Sequence, residues 1–231
     1  MKTVLITGSN RGIGLEFVRQ YINEGWQVIA CCRNTESAHQ LNNIKDSNSN
    51  RLIIHKLDVS NFKMIEELAS TLHDTPIDLL INNAGIYGGN NNTFGSIDYQ
   101  DWTNAFVINT MAALKIAESF VSNIECSNIK KMVFLSSQMG SISDNGSGQS
   151  YIYRSTKTAL NSVVKSLSID LKHKGIKVLT LHPGWVLTDM GGTNAQITTE
   201  ESVKSIKNII DNMNMNNSGS FLDYEGKTIL W

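Results

Sequence analysis

An α/β fold is predicted for this chain: a doubly wound parallel sheet of about seven strands with helices on both faces. Three observations carry the expectation. β-rich runs alternate with helical periodicity along all 231 residues, strands such as Lys131-Met132-Val133-Phe134-Leu135 are almost wholly apolar, and the first strand runs straight into a glycine-spaced turn followed by a helix.

The elements follow in order. Strands are expected at 2–7, 26–32, 51–57, 77–82, 129–136, 176–181 and 219–223, and helices at 12–24, 61–73, 99–124, 155–173 and 199–213. In the first unit, Lys2 to Thr7 is the strand and Leu15, Phe17, Val18, Tyr21 and Ile22 recur on one side of the helix. Between them Gly8, Gly12 and Gly14 stand in the spacing G-x-x-x-G-x-G. Gly8 suits the positive φ that turns the chain out of the strand. Gly12 removes a Cβ from the path of a phosphate, and Gly14 lets the helix lie close to the strand. The positive end of that helix then faces an anion. Asn/Ser-rich stretches at 42–50, 88–92 and 213–220 are expected to be solvated loops. Nothing divides the chain, so residues 1–231 are expected to form one domain.

Composition excludes several classes. A net charge of −1 with 41% hydrophobic residues implies neither a nucleic acid nor a membrane surface as partner. No cleavable leader is seen, and no apolar run is counted as reaching membrane-spanning length, so a cytoplasmic protein is expected. Three cysteines, the pair Cys31-Cys32 and the distant Cys126, support no disulfide framework and are expected to be buried and reduced. The five histidines are scattered, and no metal site is expected.

Ligands of doubly wound sheets lie beyond the carboxyl ends of the strands. After the second strand stands Cys31-Cys32-Arg33-Asn34, without the acid that would bind a ribose 2′-hydroxyl. Arg33, with Arg11 in the glycine turn, could instead pair with a 2′-phosphate, or both could be solvated surface arginines. Asp58-Val59 follows the third strand, Asn82-Asn83-Ala84-Gly85 the fourth and Ser136-Ser137 the fifth. In Tyr153-Arg154-Ser155-Thr156-Lys157, positions i and i+4 share a helix face, so an ammonium can lie beside a phenol and favour its ionised form. Tyr151 has no such lysine one turn on. Each of these features is weak alone; their order is specific.

Thr7-Gly8-x-x-x-Gly12-x-Gly14, Asn82-Asn83-Ala84-Gly85, Asn109, Ser137, Tyr153-x-x-x-Lys157 and Pro183-Gly184 resemble, in order and approximate spacing, the short-chain dehydrogenase/reductase family over essentially the whole chain. Segments 153–161, 181–192 and 219–226 are similar to Sniffer-type carbonyl reductases and C-factor-like proteins. The resemblance implies a Rossmann fold, NADP(H) as cofactor and reduction of a ketone, aldehyde or quinone. It makes Tyr153 the proton donor, Lys157 the group that lowers its pKa and holds the nicotinamide ribose, Ser137 a hydrogen-bond partner of the substrate oxygen, and Asn109 the holder of a water connecting Lys157 to solvent. It assigns adenine contact to Asp58, the adenosine and ribose path to Asn82, Ala84 and Gly85, and the carboxamide to Thr188. Asn10, Ile13, Val59 and Val186 join Arg11, Arg33, Pro183 and Gly184 along the cofactor. The loop between Ser137 and Tyr153 is slightly enlarged for the family, and 190–194 has the composition of a mobile lid. Met139, Ile142, Trp185 and Met190 suggest an apolar carbonyl substrate. A homo-oligomer is expected, a dimer above all, joined through helices 99–124 and 155–173. The alternative is a C-factor-like nucleotide-binding regulatory protein with little turnover.

Overall fold

The computed structural model describes residues 1–89 and 92–231. Strands β1 (Thr3–Thr7), β2 (Gln27–Cys32), β3 (Leu52–Lys56), β4 (Leu79–Asn82), β5 (Lys131–Leu135), β6 (Lys177–His182) and β7 (Phe221–Asp223) form one sheet in the order β3-β2-β1-β4-β5-β6-β7, every pair parallel. Helices α1 (Gly12–Asn23), α2 (His39–Ser47), α3 (Phe62–Thr71), α4 (Tyr99–Phe106), α5 (Ala112–Glu125), α6 (Tyr151–Asp170) and α7 (Thr199–Asp211) cover it.

The period of two in β1 decides the layers. Val4 and Ile6 join Phe17 and Tyr21 of α1, Leu41 of α2 and Val203 and Ile206 of α7 on one face. Leu5 joins Ile65 of α3, Ile116 and Phe120 of α5 and Leu160 and Val164 of α6 on the other. Each such side chain, fully buried, is worth about 1.5–3 kcal/mol. The expected strands are all present, trimmed by one or two residues at their ends, except that the sixth is shifted by one and takes in His182.

Four expectations need correction. The stretch 42–50 is not simply a loop. Helix α2 occupies His39–Ser47 because Leu41 and Ile44 pack onto the sheet, while Asn42 and Asn48 hydrogen-bond the backbone at Thr35 and Ile44. Helix α6 begins at Tyr151 rather than 155, which puts Tyr153 inside its first turn. The predicted helix 99–124 is continuous but contains a π-turn at Val107–Met111 around Asn109, and Tyr99–Glu125 is long and apolar enough to cross a membrane by length and composition. Its Ile116, Phe120 and Ile124 are spent on the sheet. Cys31 and Cys32 are buried as expected, but Cys126 is exposed. Of the expected 88–92 loop, residues 90 and 91 lie outside the described residues.

Candidate active site

The glycine turn is fixed by its neighbours. Gly8 has φ +63°, and a Cβ on Gly14 would stand 2.2 Å from the Gly8 carbonyl oxygen, so neither position accepts a side chain without moving the turn. Asn83, absent from the expected site residues, locks this turn to β4: its Nδ2 donates to the Thr7 and Gly8 carbonyls at 2.9 Å each, while Asn83 and Ala84 donate backbone N–H to Thr7 Oγ1 at 3.1 Å. Helix α1 starts at Gly12 with no side-chain cap on its first N–H groups, so those donors face the cleft unsatisfied by the protein's own N-cap. Asn82 turns away from the cleft, its Nδ2 donating to the Ala113 carbonyl at 3.1 Å.

Next to the turn, a cavity of about 560 Å³ opens above β5 and β6. Ile13, Pro183, Gly184, Val186 and Thr188 line one end; Tyr87, Ser137, Gln138, Met139, Tyr153, Arg154, His182, Trp185 and Met190 line the other. Ile142, expected near the entrance, is exposed and does not line it. Gly12 lies under Thr188, where an added Cβ would stand 3.2 Å from Thr188 Cγ2. Asn10 is half-buried in the same turn. Arg33, Asp58 and Val59 stand apart, beyond β2 and β3: Arg33 is exposed, Asp58 accepts from the Ser60 N–H and hydroxyl at 3.0 and 2.6 Å, and Val59 is buried. Arg11 is paired with Asp189 at 2.7 Å, both side chains largely in solvent.

Four polar side chains predicted for the chemistry come together. Ser137, two residues beyond β5, accepts from the Met139 N–H at 3.2 Å and keeps its own proton free to donate. Tyr153 is buried beside it. Lys157, one turn along α6, is also buried and donates to the Leu135 carbonyl at 2.9 Å. Asn109 closes the group from behind. Its Oδ1 accepts from the Ile86 N–H at 2.8 Å, and its Nδ2 donates to the Ile86 carbonyl at 2.8 Å and to Thr156 Oγ1 at 3.0 Å. A Cβ on Gly85 would lie 3.2 Å from Asn109 Oδ1 and 3.4 Å from Lys157 Nζ, so Gly85 is the gap between them.

Burial sets the electrostatics. The Tyr153 phenol is pushed up to about 12, chiefly by desolvation; Ser137 pulls it down and Tyr87 adds a smaller rise. The same desolvation brings the Lys157 ammonium down to about 8. The Lys157 ammonium donates to the Leu135 carbonyl and stands 5.7 Å from the Tyr153 ring centroid, so burial and not this cation sets the direction of the phenol's shift here. His182 is held neutral, brought down to about 4 by burial.

The family model for the short chain dehydrogenases matches residues 2–199. The chain belongs to this family. Among relatives of this short-chain dehydrogenase, C-signal of Myxococcus xanthus is 38% identical over 156 residues, which are 68% of this chain and 93% of that protein. In three dimensions it is similar to the carbonyl reductase Sniffer of D. melanogaster, with TM-score 0.93 and 30% identity over the whole of both chains. It is also similar to the NADPH-bound carbonyl reductase from chicken fatty liver, with TM-score 0.91 and 33% identity over 100% of this chain and 99% of that one. The Rossmann-type sheet and the assignment to an oxidoreductase family, with carbonyl reductases as structural neighbours, agree with the fold and class read from sequence.

Proposed function

We propose that this protein is an NADP(H)-dependent carbonyl reductase that converts a ketone, aldehyde or quinone to an alcohol, with Tyr153 as its general acid. The observation that carries the reading is the convergence of Ser137 and Tyr153 on one cavity, with Lys157 and Asn109 directly behind them. The residues present fit a dinucleotide. The turn at Gly8 and Gly14 excludes Cβ atoms, the first turn of α1 is uncapped, and Gly12, Ile13, Gly184 and Thr188 form one continuous wall leading to Tyr153.

When bound, the nicotinamide supplies a hydride to the carbonyl carbon and is itself oxidised. The protein supplies the rest. Ser137 donates to the carbonyl oxygen and fixes its place, and Tyr153 gives that oxygen its proton as the carbon–oxygen double bond opens. A phenol held near 12 keeps its proton at neutral pH, which suits a donor. Lys157, which donates to the Leu135 carbonyl here, would hold the ribose and, as a cation, would stabilise the resulting phenolate. Asn109 has its side chain spent on Ile86 and Thr156, so a water linking Lys157 to solvent would be held by the main chain of the widened π-turn. Along the cofactor, Asn10, Arg11 and Arg33 serve the phosphates, Asp58 and Val59 the adenine, the main chain at Asn82, Ala84 and Gly85 the ribose path, and Pro183, Val186 and Thr188 the nicotinamide. Met139, Trp185 and Met190 favour an apolar carbonyl compound. On this reading the enzyme is one cytoplasmic domain that dimerises through α4–α5 and α6, where Met111 and Ile169 are exposed.

A panel of carbonyl compounds followed by NADPH consumption tests the proposal: turnover is expected, and it should vanish into background in Tyr153→Phe. The similarity to C-signal favours one second reading, a nucleotide-binding regulatory protein. Tight NADPH binding without turnover across the panel would select it.

A further inference from the structure

Tyr87 lies just beyond the Asn82–Gly85 segment, and its ring stacks on that of Tyr153 with centroids 4.7 Å apart and planes 28° from parallel. Its hydroxyl and Ser150 Oγ share a hydrogen bond of 2.8 Å. We propose that Tyr87 is a positioning residue for the reaction, a ring pinned by Ser150 that holds the Tyr153 phenol toward Ser137 and keeps water from its outer face. The proposal rests on the reading of Tyr153 as the proton donor.

The surrounding backbone is built around this contact. Ser150 and its neighbour Gln149 both have left-handed φ, +49° and +54°, which non-glycine residues hold only where the environment over-determines them. Ser150 immediately precedes α6 yet gives that helix no side-chain cap. Its hydroxyl is engaged with Tyr87, and Asn92 caps the helix in its place: Asn92 Oδ1 accepts from the Ile152 N–H at 2.9 Å. The segment after β4 thus grips the catalytic helix at Tyr87 and Asn92, while Asn109 clamps Ile86, the residue just before Tyr87, through both its N–H and its carbonyl.

The chemistry requires such a brace. A phenol oxygen sits on the axis of its ring, so spinning the ring leaves it in place while tilting the ring displaces it. A tilt of about 10° carries it about 1 Å, and a misplacement of that size can cost about a hundredfold in rate. Tyr87 is 40% exposed although the residue it covers is only 9% exposed, which is the arrangement of a cover rather than of a core side chain. The other titratable or charged groups sharing the cavity with Tyr153 are Arg154 of its own helix, Asp144 of the loop after β5 and His182 at the end of β6, and Lys157 lies behind the ring. Asp144, Arg154 and Lys157 bond to Gln138, Gly148 and Leu135 rather than to Tyr87, whose own hydroxyl also raises the Tyr153 phenol, so Tyr87→Phe, which removes that hydroxyl and keeps the ring, separates the stack from it.

The test uses the full chain with ring-labelled tyrosine, following the Tyr153 resonance by carbon NMR against pH; Tyr153→Phe assigns the resonance. In Tyr87→Leu the Tyr153 titration should move down by about one unit or more as water reaches the ring. With a substrate that the wild type reduces, kcat should fall roughly ten- to a hundredfold while KM changes less. Tyr87→Phe, which keeps the ring and loses only the Ser150 bond, should fall between Tyr87→Leu and the wild type in both measurements. If Tyr87→Leu and Tyr87→Phe leave the titration and kcat at wild-type values and raise only KM, Tyr87 is a wall of the substrate site and the proposal is overturned. Because the titration is read without turnover, failure of the acid assignment shows itself separately, as undiminished kcat in Tyr153→Phe.

Discussion

The Lys157 ammonium lies 5.7 Å from the centroid of the Tyr153 ring while donating its hydrogen bond to the Leu135 carbonyl at 2.9 Å. Without a bound ribose, the charge is therefore buried against a single carbonyl, and burial lowers its pKa from 10.5 to about 8.

That placement gives a pH signature in stability. Below about pH 8 the folded and unfolded chains both hold the Lys157 proton, and the folded state carries the full cost of burying the charge. Between about 8 and 10.5 the unfolded chain still binds a proton that the folded chain has released, so this group's contribution to stability improves as pH rises. At about 1.4 kcal/mol per unit the cost is about 3 kcal/mol, and Lys157→Met should recover it less about 2 kcal/mol for the Leu135 carbonyl left without its donor. Denaturant unfolding without cofactor should find Lys157→Met about 1 kcal/mol more stable than wild type at pH 7 and no longer more stable near pH 10. A variant that is less stable at both pH values would contradict the burial of a charged ammonium.

Tyr153→Phe removes one hydroxyl and leaves a ring of nearly the same shape stacked on Tyr87. The fold and NADPH affinity should survive, while carbonyl reduction falls by about 10²–10⁴. Tyr151→Phe is the control: Tyr151 is 41% exposed at the start of α6 and does not line the cavity, so its turnover should stay within about twofold of wild type. Steady-state rates of the two variants on one good substrate decide the assignment, and loss of turnover in Tyr151→Phe with retention in Tyr153→Phe would reverse it.

What could be read from sequence was whatever depends on local pattern. The strands were legible because apolar runs buried on both faces leave a continuous signal, and the glycine turn because its three glycines stand within seven consecutive residues, although the neighbours that require them at Gly8 and Gly12 are the distant Asn83, Ala84 and Thr188. The start of α6 was not, since its cap comes from Asn92, some sixty positions earlier, and Ser150 at the local cap position is turned to Tyr87. The π-turn at Asn109 was hidden inside an unbroken apolar periodicity. Asn83 stood within a quoted motif, but only the fold shows that it ties the glycine turn to β4 while Asn82 turns to α5. Tyr87 had no signal beyond its place two residues after that motif. The direction of the Tyr153 shift depends on burial, which spacing along a helix does not report.

Cofactor preference should follow the cations at the adenosine end. No acid stands after β2, and Arg33 is exposed there. NADPH should bind roughly tenfold or more tightly than NADH, since a charged hydrogen bond is worth about 1.5–3 kcal/mol before solvent screening reduces it. Arg33→Ala should weaken NADPH and leave NADH nearly unchanged. Arg11 must first leave Asp189, an exposed pair worth at most about 1 kcal/mol, so Asp189→Asn should tighten NADPH by up to about fivefold. Equal dissociation constants for the two cofactors in calorimetric titration would remove the 2′-phosphate role of both arginines.

The segment from Pro183 to Thr198 should close over nicotinamide and substrate as a unit, and its own bonds say why. Leu187 N–H donates to the Ile197 carbonyl at 2.9 Å and Gln196 N–H to the Trp185 carbonyl at 3.0 Å, so the two arms of the segment are zipped to each other. At its tip, Trp185 Nε1 donates to the Gly191 carbonyl at 2.7 Å and Gly191 N–H to Thr188 Oγ1 at 3.1 Å. Among the described residues its tie to the glycine turn is the exposed Arg11–Asp189 pair, which is weak in water. A flap bonded within itself, anchored at its base by the Ser202 bond to the Pro183 carbonyl and tied to the glycine turn by an exposed pair, can move at its tip without unfolding. On the proposed reading the Thr188 hydroxyl, which accepts from the Gly191 N–H at 3.1 Å and donates to the Val186 carbonyl at 3.3 Å, would also meet the carboxamide. Cofactor binding should therefore add a ligand bond to a hydroxyl already tied to the tip of the flap and order the flap through Thr188. Hydrogen exchange on the protein saturated with NADPH and a substrate-like inhibitor should show slower exchange across Gly191–Asn194 than in the free protein. In Thr188→Val, which keeps the shape and loses the hydroxyl, that gain should shrink and NADPH should bind several-fold more weakly, as about 1 kcal/mol per lost hydrogen bond requires. Unchanged protection on ligand binding would make the segment a static wall, and protection that rises equally in Thr188→Val would move the closing contact away from Thr188.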